Sequence, residues 1–298
     1  MNLFNRAVVT TLPMVPKPIV RRVSSRYIAG STLGEAINTI RTLEQEGCCA
    51  TLDILGEHIT DKAAALEAVE SYKQALQVIA AEGVDSNVSL KPTQLGLTFG
   101  EEFCYENIRA VVEEAKKQRN FIRIDMEDSG CTSATIRIYD RLRAQYDNVG
   151  LVIQAYLRRS LQDIRSLFEG GKVNARLCKG IYIESRDIAY QDMEIINANF
   201  TLLLEEFFKN GAYVGIATHD EKLVWHALRL IDKYQLKPDA YEFQMLLGVD
   251  EQLRRIIVNA GHKLRVYVPF GVHWYAYSLR RLQENPKIAG YIIKGMFS

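Results

Sequence analysis

The sequence lacks several features by which large classes of proteins are identified. No apolar run in its 298 residues is long enough to cross a bilayer. Its net charge of +1 gives no concentrated basic face, so we expect no nucleic-acid partner. The five cysteines contain no C-x-x-C pair and the five histidines share no ligand spacing. Both observations favour a reducing compartment and no metal site.

Acidic residues are absent from the first thirty positions. The cations in this segment are Arg6, Lys17, Arg21, Arg22 and Arg26. Such a composition is typical of organelle transit peptides and of amphipathic segments that lie on anionic membranes. An ordinary N-terminal helix is the alternative, and the prolines allow a continuous helix to begin only near Pro18. We therefore predict an N-terminal arm or membrane-contact segment over residues 1–30.

What the sequence does contain is a regular alternation of strand-like and helix-like segments. The apolar runs that predict strands are 50–55, 87–90, 121–126, 150–154, 173–178, 213–217, 241–245 and 264–268. The helical patterns are 32–45, 62–81, 101–118, 132–145, 161–168, 188–208, 221–234, 251–260 and one that starts at 272. Pro269 and Gly271 are expected to end the last strand.

Strands that alternate with helices of this length pair in parallel, because each crossover needs a helix. Eight such units complete an α/β fold of the (β/α)8 TIM-barrel type, with extra N-terminal helices before the first strand. No low-complexity linker interrupts residues 1–298, so we expect a single domain. A doubly wound open sheet is the alternative, but no G-x-G-x-x-G follows any predicted strand.

Polar side chains follow the predicted strands, at the end of the barrel where active sites lie. In chain order they are Asp53, Lys91, Asp125 with Glu127, Gln154, Arg176 with Lys179, Thr218 with His219 and Asp220, Gln244, and Tyr267. The cations expected at this opening are Lys91, Arg176, Lys179, Arg280 and Arg281. Because it is costly to desolvate like charges together without an anion, we expect two anionic ligands: a cofactor with phosphates and a small acid.

Arg280 and Arg281 stand side by side on the helix predicted from residue 272, with Glu284 one turn further on. A guanidinium is a rigid fork that binds a carboxylate through two hydrogen bonds and keeps its charge. The pair therefore predicts a binding site for a small anionic substrate. The alternative is a solvated surface pair in which Arg280 and Glu284 form an ordinary i,i+4 ion pair.

The same residues raise the question of other chemistries. A Ser-His-Asp hydrolase is not supported, because the sequence has no G-x-S-x-G elbow. His219 is either a ligand-binding residue or a histidine fixed in the core. Lys91 or Lys179 could form a Schiff base, which would make the protein a lyase of the aldolase type. A barrel that binds an anionic metabolite without turnover is a further alternative.

Several runs, taken together and in order, closely resemble the proline dehydrogenase family. They are VSLK at 88–91, IDM at 124–126, RLCKGIY at 176–182, ATH at 217–219, FQML at 243–246, RVYVPFG at 265–271 and RRLQENP at 280–286. The resemblance extends from about Gly30 to Pro286. It applies to the small monofunctional bacterial form and equally to the proline-oxidising domain of the bifunctional proline utilisation proteins.

This resemblance implies a distorted (β/α)8 barrel that holds FAD non-covalently and oxidises L-proline to Δ1-pyrroline-5-carboxylate, the first step of proline catabolism. Hydride transfer to flavin N5 is followed by passage of electrons to a membrane quinone. The implied partners are that quinone and a separate pyrroline-5-carboxylate dehydrogenase. The implied location is the cytoplasm, with peripheral contact at the inner face of the membrane. Among flavin barrels, a methylenetetrahydrofolate reductase is the competing interpretation.

The resemblance also assigns site residues. The substrate and catalytic positions are Lys91, Asp125, Tyr182, Tyr267, Arg280, Arg281 and Glu284. The flavin contacts are Met126, Gln154, Arg176, Lys179, Gly180, Tyr182, Thr218, His219, Asp220 and Gln244. One position departs from the family, which often has asparagine where this chain has Asp220. A carboxylate that only accepts hydrogen bonds thus replaces an amide near the cofactor.

Overall fold

The computed structural model describes residues 26–56, 59–275 and 278. Its strands, β1 to β8, are Cys49–Ile54, Ser86–Leu90, Ile122–Ile124, Val149–Gln154, Asn174–Cys178, Tyr213–Ala217, Tyr241–Leu246 and Leu264–Phe270. Its helices, α1 to α8, are Leu33–Gln45, Lys62–Glu82, Glu101–Lys117, Ser129–Arg143, Ser160–Glu169, Met193–Lys209, Glu221–Lys233 and Glu251–Asn259. A short 3-10 helix, Leu97–Phe99, precedes α3. Helix α1 precedes β1, and each later helix follows a strand.

The eight strands form a closed parallel barrel. Each strand pairs with its neighbours in sequence, and β8 pairs with β1 in a register that runs from Cys49 opposite Arg265 to Ile54 opposite Phe270. The carboxyl ends of all eight strands therefore meet around one opening. The predicted (β/α)8 barrel is confirmed.

Local sequence explains where several helices begin and end. Thr32 and Glu35 form a reciprocal capping box at the start of α1. Asp61 caps α2, and Gly83 ends it in the left-handed conformation, with φ of 65°. Asp220 caps α7 by accepting from a backbone N–H of its first turn, so the same carboxylate lies at the barrel opening. Capping thus fixes one of the predicted site residues in place.

The last strand does not end before Pro269, as predicted, but continues to Phe270. Consecutive strand residues bond in opposite directions. The carbonyl of Phe270 accepts from Leu55 N–H beside β1, while the carbonyl of Pro269 accepts from Ala29 N–H on the other side. The missing N–H of Pro269 therefore falls outside the β1–β8 ladder, and the strand tolerates proline there.

Two other predicted boundaries are wrong. The helix expected over 188–208 begins at Met193, because the preceding residues pair with the segment after β4: Leu157 bridges Ala189, and Tyr190 N–H donates to the carbonyl of Tyr156. Strand β3 has three residues instead of the six expected over 121–126. Asp125 therefore lies just beyond a strand end, with its N–H bonded to the Leu90 carbonyl.

The barrel separates an apolar layer from a polar interior. Strand residues such as Leu52, Val88, Ile124, Leu151 and Val266 are fully buried and belong to the main hydrophobic cluster shared with the helices. Alternate strand residues point to the opposite face. The buried polar residues of the strands and their ends include Asp53, Ser89, Arg123, Asp125, Arg176, Glu242, Gln244 and Arg265. Interiors of such barrels are usually filled by branched apolar side chains, so this one is unusually polar.

Two predictions fall outside the described residues. The N-terminal arm over 1–30 is described only from Arg26 onward, and of the helix predicted from residue 272 the arginine pair and Glu284 are not described. Within the described ranges, none of the helices combines the length and hydropathy that a bilayer span requires.

Candidate active site

Lys91, directly after β2, forms a buried ion pair with Asp53 of β1. Its Nζ lies 2.8 Å from Oδ1 and 2.9 Å from Oδ2 of Asp53, 3.4 Å from the hydroxyl of Tyr267 and 3.8 Å from Oδ2 of Asp125. Burial alone would lower the pKa of Lys91, but the Asp53 carboxylate raises it well above its ordinary value. Lys91 is therefore an ammonium ion at neutral pH.

Asp125 is held from two sides. Arg176 donates from Nη1 to Oδ1 of Asp125 at 2.8 Å, and the Tyr267 hydroxyl donates to Oδ2 at 2.8 Å. The guanidinium carbon of Arg176 also lies 5.3 Å from the centre of the Tyr267 ring. Burial raises the pKa of Tyr267 well above its ordinary value, so the hydroxyl keeps the proton that it donates.

The Arg176 guanidinium has further partners inside the barrel. Its Nε donates to Oε1 of Gln244 at 2.5 Å, and its Nη2 donates to the hydroxyl of Ser89 at 3.1 Å. Gln244 in turn donates from Nε2 to Oε1 of Glu242 at 2.7 Å, and the same oxygen accepts from Nε of Arg265 at 2.8 Å. A continuous chain of polar contacts thus runs from the opening into the barrel.

A second ion pair lies at the rim of the opening. Lys179 Nζ is 2.9 Å from Oδ2 of Asp220, which also accepts from Asn197 at 3.2 Å. The N–H of Asp220 donates to the hydroxyl oxygen of Thr218 at 3.1 Å. Burial alone would raise the pKa of Asp220, but the bond from Lys179 lowers it below its ordinary value. The Asp220 carboxyl is therefore ionised at neutral pH.

His219 occupies a structural position in this arrangement. Its Nε2 accepts a 2.8 Å hydrogen bond from the N–H of Leu246, the last residue of β7. That nitrogen therefore carries no proton and ties the loop after β6 to the end of β7. The contact fixes His219 through one ring nitrogen, and its predicted role as a flavin contact stays a prediction.

Gln154, the last residue of β4, contacts the loop after β3. Its Nε2 donates to the carbonyls of Met126 and Glu127, both at 3.2 Å. The Glu127 carboxylate accepts from the N–H and the hydroxyl of Thr93 at 2.8 and 2.6 Å, which fixes the loop after Lys91. The Oε1 atom of Gln154 is buried and has no hydrogen-bond partner among the described residues.

The loop after β5 contains Gly180, Tyr182 and the exposed Ile183. Gly180 has φ of 102°, and a Cβ placed on it would lie 2.1 Å from a ring carbon of Tyr156. Only glycine avoids both the backbone strain and this clash. Tyr182, two residues further along, is partly exposed. The loop backbone therefore packs directly on an aromatic ring beside Lys179.

A family model described as proline dehydrogenase matches residues 36–292. The chain belongs to the proline dehydrogenase family. It is therefore an oxidoreductase of the proline dehydrogenase type, as the sequence resemblance predicted. Proline dehydrogenase 1 of Bacillus subtilis (strain 168) is 36% identical to it over 271 residues, which cover 91% of this chain and 89% of that protein. The proline dehydrogenase of Deinococcus radiodurans is 32% identical over 305 residues, covering 99% and 98% of the two chains.

A solved structure of proline utilization A (PutA) from Bdellovibrio bacteriovorus has the same fold, with a TM-score of 0.86. The two sequences are 24% identical, so this likeness concerns the fold. The match covers 95% of this chain but only 36% of the PutA chain. This proline dehydrogenase family member thus corresponds to about a third of that longer protein.

Most of the predicted proline dehydrogenase site residues that are described lie around one opening. Five of them are linked by the contacts given above: Lys91, Asp125, Arg176, Gln244 and Tyr267. Gln154 with Met126, and Lys179 with Thr218 and Asp220, form separate groups at other strand ends. Arg280, Arg281 and Glu284 lie outside the described residues. Their roles, like those of the other site residues, stay predictions.

Three of the cations predicted to be in surplus at the opening are paired with carboxylates of the chain itself. Lys91, Arg176 and Lys179 were expected to form a surplus of cations that anionic ligands would neutralise. In the structure each has a carboxylate partner in the chain itself, at 2.8 to 2.9 Å. These three cations therefore require no bound anion, and any charge surplus would rest on the arginine pair.

Two buried acids in this proline dehydrogenase site were missed as site residues. Asp53 was recognised at a strand end but not assigned a role, although it is the partner of Lys91. Glu242 precedes Gln244 by two residues on the same strand, and a period of two places both side chains on one face of a strand. This spacing could have indicated from the sequence that Glu242 faces the barrel interior together with Gln244.

Proposed function

We propose that this enzyme oxidises L-proline to Δ1-pyrroline-5-carboxylate with bound FAD and passes the electrons to a membrane quinone. The observation that supports this best is the buried group formed by Lys91, Asp125, Arg176 and Tyr267. These residues meet at the carboxyl end of the barrel and occupy positions that the family resemblance assigns to substrate and cofactor.

The residues at the opening fit a flavin. The carbonyl oxygen of Gln154, which has no partner among the described residues, can accept a hydrogen bond from a ligand N–H, and leaving it buried without one would be costly. The absence of a side chain at Gly180 keeps the loop after β5 close to Tyr156, beside the Lys179 ammonium. Gln154, Lys179 and Gly180 would hold the cofactor, with Gln244 and Arg176 further inside. A flavin bound here would accept a hydride from the substrate carbon and would then deliver two electrons to a quinone.

The chain's own residues supply binding and orientation. Arg280 and Arg281 would hold the substrate carboxylate through paired hydrogen bonds, and such positioning turns binding energy into a productive geometry. Lys91 would add a fixed positive charge. Asp125 would face the substrate with both of its oxygens already fixed by Arg176 and Tyr267. Tyr182 and Tyr267 would line the substrate ring.

The Schiff-base alternative is weakened by the same contacts. An amine must be unprotonated to attack a carbonyl, whereas Asp53 raises the pKa of Lys91 and keeps it charged. Lys179 is paired with Asp220 at 2.9 Å. No observation of the described residues favours a lyase over the dehydrogenase.

Anaerobic addition of L-proline to the purified protein tests the proposal. We expect a yellow protein whose flavin absorption bleaches with proline but not with NADH, the donor expected for a methylenetetrahydrofolate reductase. Asp125→Asn should slow the bleaching, whereas Asp232→Asn, on the exposed face of α7, should leave it unchanged. A colourless protein that borohydride traps covalently with substrate would contradict the proposal and identify a lyase.

The proposal includes the electron acceptor and the location. Oxidised flavin should be regenerated by a soluble quinone analogue and not by NAD+. A single-domain enzyme in the cytoplasm would reach the quinone by peripheral contact with the inner face of the membrane through residues 1–30, and would pass its product to a separate pyrroline-5-carboxylate dehydrogenase. Sedimentation with vesicles of anionic phospholipid tests the membrane contact, and deletion of residues 1–25 should abolish it.

A further inference from the structure

Glu242 and Arg265 form an ion pair deep inside the barrel, below the residues assigned to substrate and cofactor. Glu242 lies on β7 and Arg265 on β8, and both are almost fully buried. Arg265 donates from Nε to Oε1 of Glu242 at 2.8 Å and from Nη1 to the Ala50 carbonyl at 2.5 Å. Neither residue has a role in the mechanism proposed above.

The same Glu242 oxygen contacts Gln244, the next residue along that strand face. Gln244 Nε2 donates to Oε1 of Glu242 at 2.7 Å. Gly215, on the neighbouring strand β6, leaves the space that the Gln244 amide occupies. A Cβ placed on Gly215 would lie 2.4 Å from Nε2 of Gln244. The amide is therefore confined between a glycine and an ion pair.

The two ends of a glutamine amide are chemically different, because one only donates and the other only accepts hydrogen bonds. An ionised carboxylate only accepts, so Glu242 selects the NH2 end of Gln244. The carbonyl end then faces Nε of Arg176, which only donates, at 2.5 Å. If the amide were reversed, Oε1 would face the carboxylate and Nε2 would face the guanidinium.

We propose that Glu242 is a positioning residue: it sets the orientation of the Gln244 amide and thereby holds the Arg176 guanidinium against Asp125. Arg265 compensates the charge of Glu242 in the interior and does not act on the substrate. This inference rests on the proposed function only in that Arg176 and Asp125 are taken as site residues.

A single substitution of Glu242 would leave the buried Arg265 with only the exposed carboxylate of Asp85, 3.8 Å away, and variants that weaken a buried ion pair in this way often fail to fold. The test therefore uses Glu242→Met with Arg265→Met, because replacing a buried ion pair by apolar side chains of similar volume is often neutral or stabilising. Lys263→Met is the matched control. Lys263 approaches the other carboxylate oxygen of Glu242 at 3.5 Å from a half-exposed position and does not touch Gln244.

Kinetics of proline oxidation by the flavin-loaded enzyme give the first readout. We expect kcat/KM to fall about tenfold in the double variant at an unchanged melting temperature, and to stay at the wild-type value in Lys263→Met. If Glu242 acts through Gln244, the same two substitutions in a Gln244→Met background should change kcat/KM less than about twofold further. Equal losses in both backgrounds would overturn the proposal.

Hydrogen exchange of the Arg176 Nε–H gives a readout that does not depend on turnover. In 15N-arginine-labelled enzyme, with the signal assigned by its loss in Arg176→Lys, we expect exchange at least about tenfold faster in the double variant than in wild type or Lys263→Met. Unchanged exchange would refute the positioning role. A wild-type enzyme that fails to oxidise proline would instead refute the proposed function, and the exchange result would still decide the role of Glu242.

Discussion

The hydroxyl of Tyr267 donates a 2.8 Å hydrogen bond to Oδ2 of Asp125. The contact joins β8 to the residue after β3, two elements that are not neighbours in the barrel. It therefore crosses the opening and links the two sides of the candidate site. Since Arg176 bonds to the other oxygen of Asp125 and packs on the ring of Tyr267, the three side chains fix one another.

Tyr267→Phe removes this hydrogen bond and keeps the ring. A hydrogen bond to a charged group contributes about 1.5–3 kcal/mol, so we expect kcat/KM for proline to fall roughly 10- to 100-fold. Tyr241→Phe is the matched control, because its hydroxyl contacts His262 at 2.9 Å at the opposite end of the barrel. Steady-state kinetics of both variants check this, and a wild-type kcat/KM for Tyr267→Phe would remove the contact from the mechanism.

Gly180→Ala should impair flavin binding. The new Cβ would clash with Tyr156 and would force a strained φ, so we expect the Kd for FAD to rise at least about tenfold. Gly83→Ala provides the comparison: its φ is also positive, at 65°, but no atom lies within 4 Å of the added Cβ. That variant should lose about 1 kcal/mol of stability and bind FAD normally. Equal flavin content in the two variants would contradict the role of the loop after β5.

Arg281→Lys tests whether the arginine pair binds the substrate carboxylate. A lysine ammonium is a point charge and cannot form the two parallel hydrogen bonds of a guanidinium, so we expect KM for proline to rise sharply, by about tenfold or more. Arg229→Lys, on the outer face of α7 against Trp225, is the control for a general loss of arginine. If KM is unchanged in Arg281→Lys, the arginine pair does not hold the substrate.

Asp220→Asn restores the residue that the family often has at this position. Asparagine can still cap α7, but it cannot pair with the Lys179 ammonium. Both side chains are about a quarter exposed, so we expect a stability loss of at most about 1 kcal/mol. Lys179 would be released to an anionic cofactor, so FAD should bind more tightly. Fluorescence titration checks this against Asp192→Asn, which alters only the cap of α6, and weaker FAD binding would refute the prediction.

The Glu242–Arg265 pair should contribute to acid sensitivity. Burial alone would raise the pKa of Glu242, but Arg265 lowers it from the ordinary 4.5 to about 2. A carboxyl whose pKa is lower in the folded than in the unfolded state stabilises the protein at every pH above its unfolded-state pKa. This contribution disappears as the pH falls from about 4.5 to about 2. The loss amounts to about 3 kcal/mol.

Denaturant unfolding between pH 5 and pH 2 measures this contribution. In the variant that combines Glu242→Met with Arg265→Met, the free energy of unfolding should fall by about 3 kcal/mol less than in wild type over this pH range. The variant has no carboxyl at position 242 that could be protonated. Lys263→Met should fall between wild type and the double variant, because Lys263 also lowers the pKa of Glu242, although less than Arg265 does. An identical pH dependence in wild type and the double variant would show that Glu242 is not the group that titrates.

Much of the fold follows from sequence periodicity, and the exceptions have local tertiary causes. Eight strands alternating with helices predict parallel pairing because each crossover needs a helix, and the number of units favours a closed barrel over an open sheet. The same patterns did not predict that β8 continues through Pro269, since this depends on Ala29 bonding to the outer side of the strand. They also did not predict that residues 188–192 pair with Leu157 instead of starting a helix.

The sequence by itself determined which polar residues stand at the strand ends, because the position of a residue in an alternating βα pattern is enough to assign it to the opening. Only the tertiary structure decided how these residues pair. Lys91 is bonded to Asp53 and only loosely to Asp125, and Glu242 lies beneath Gln244. Electrostatic energy and hydrogen bonding depend on separations of a few ångströms, and barrel closure sets those separations between residues far apart in the chain.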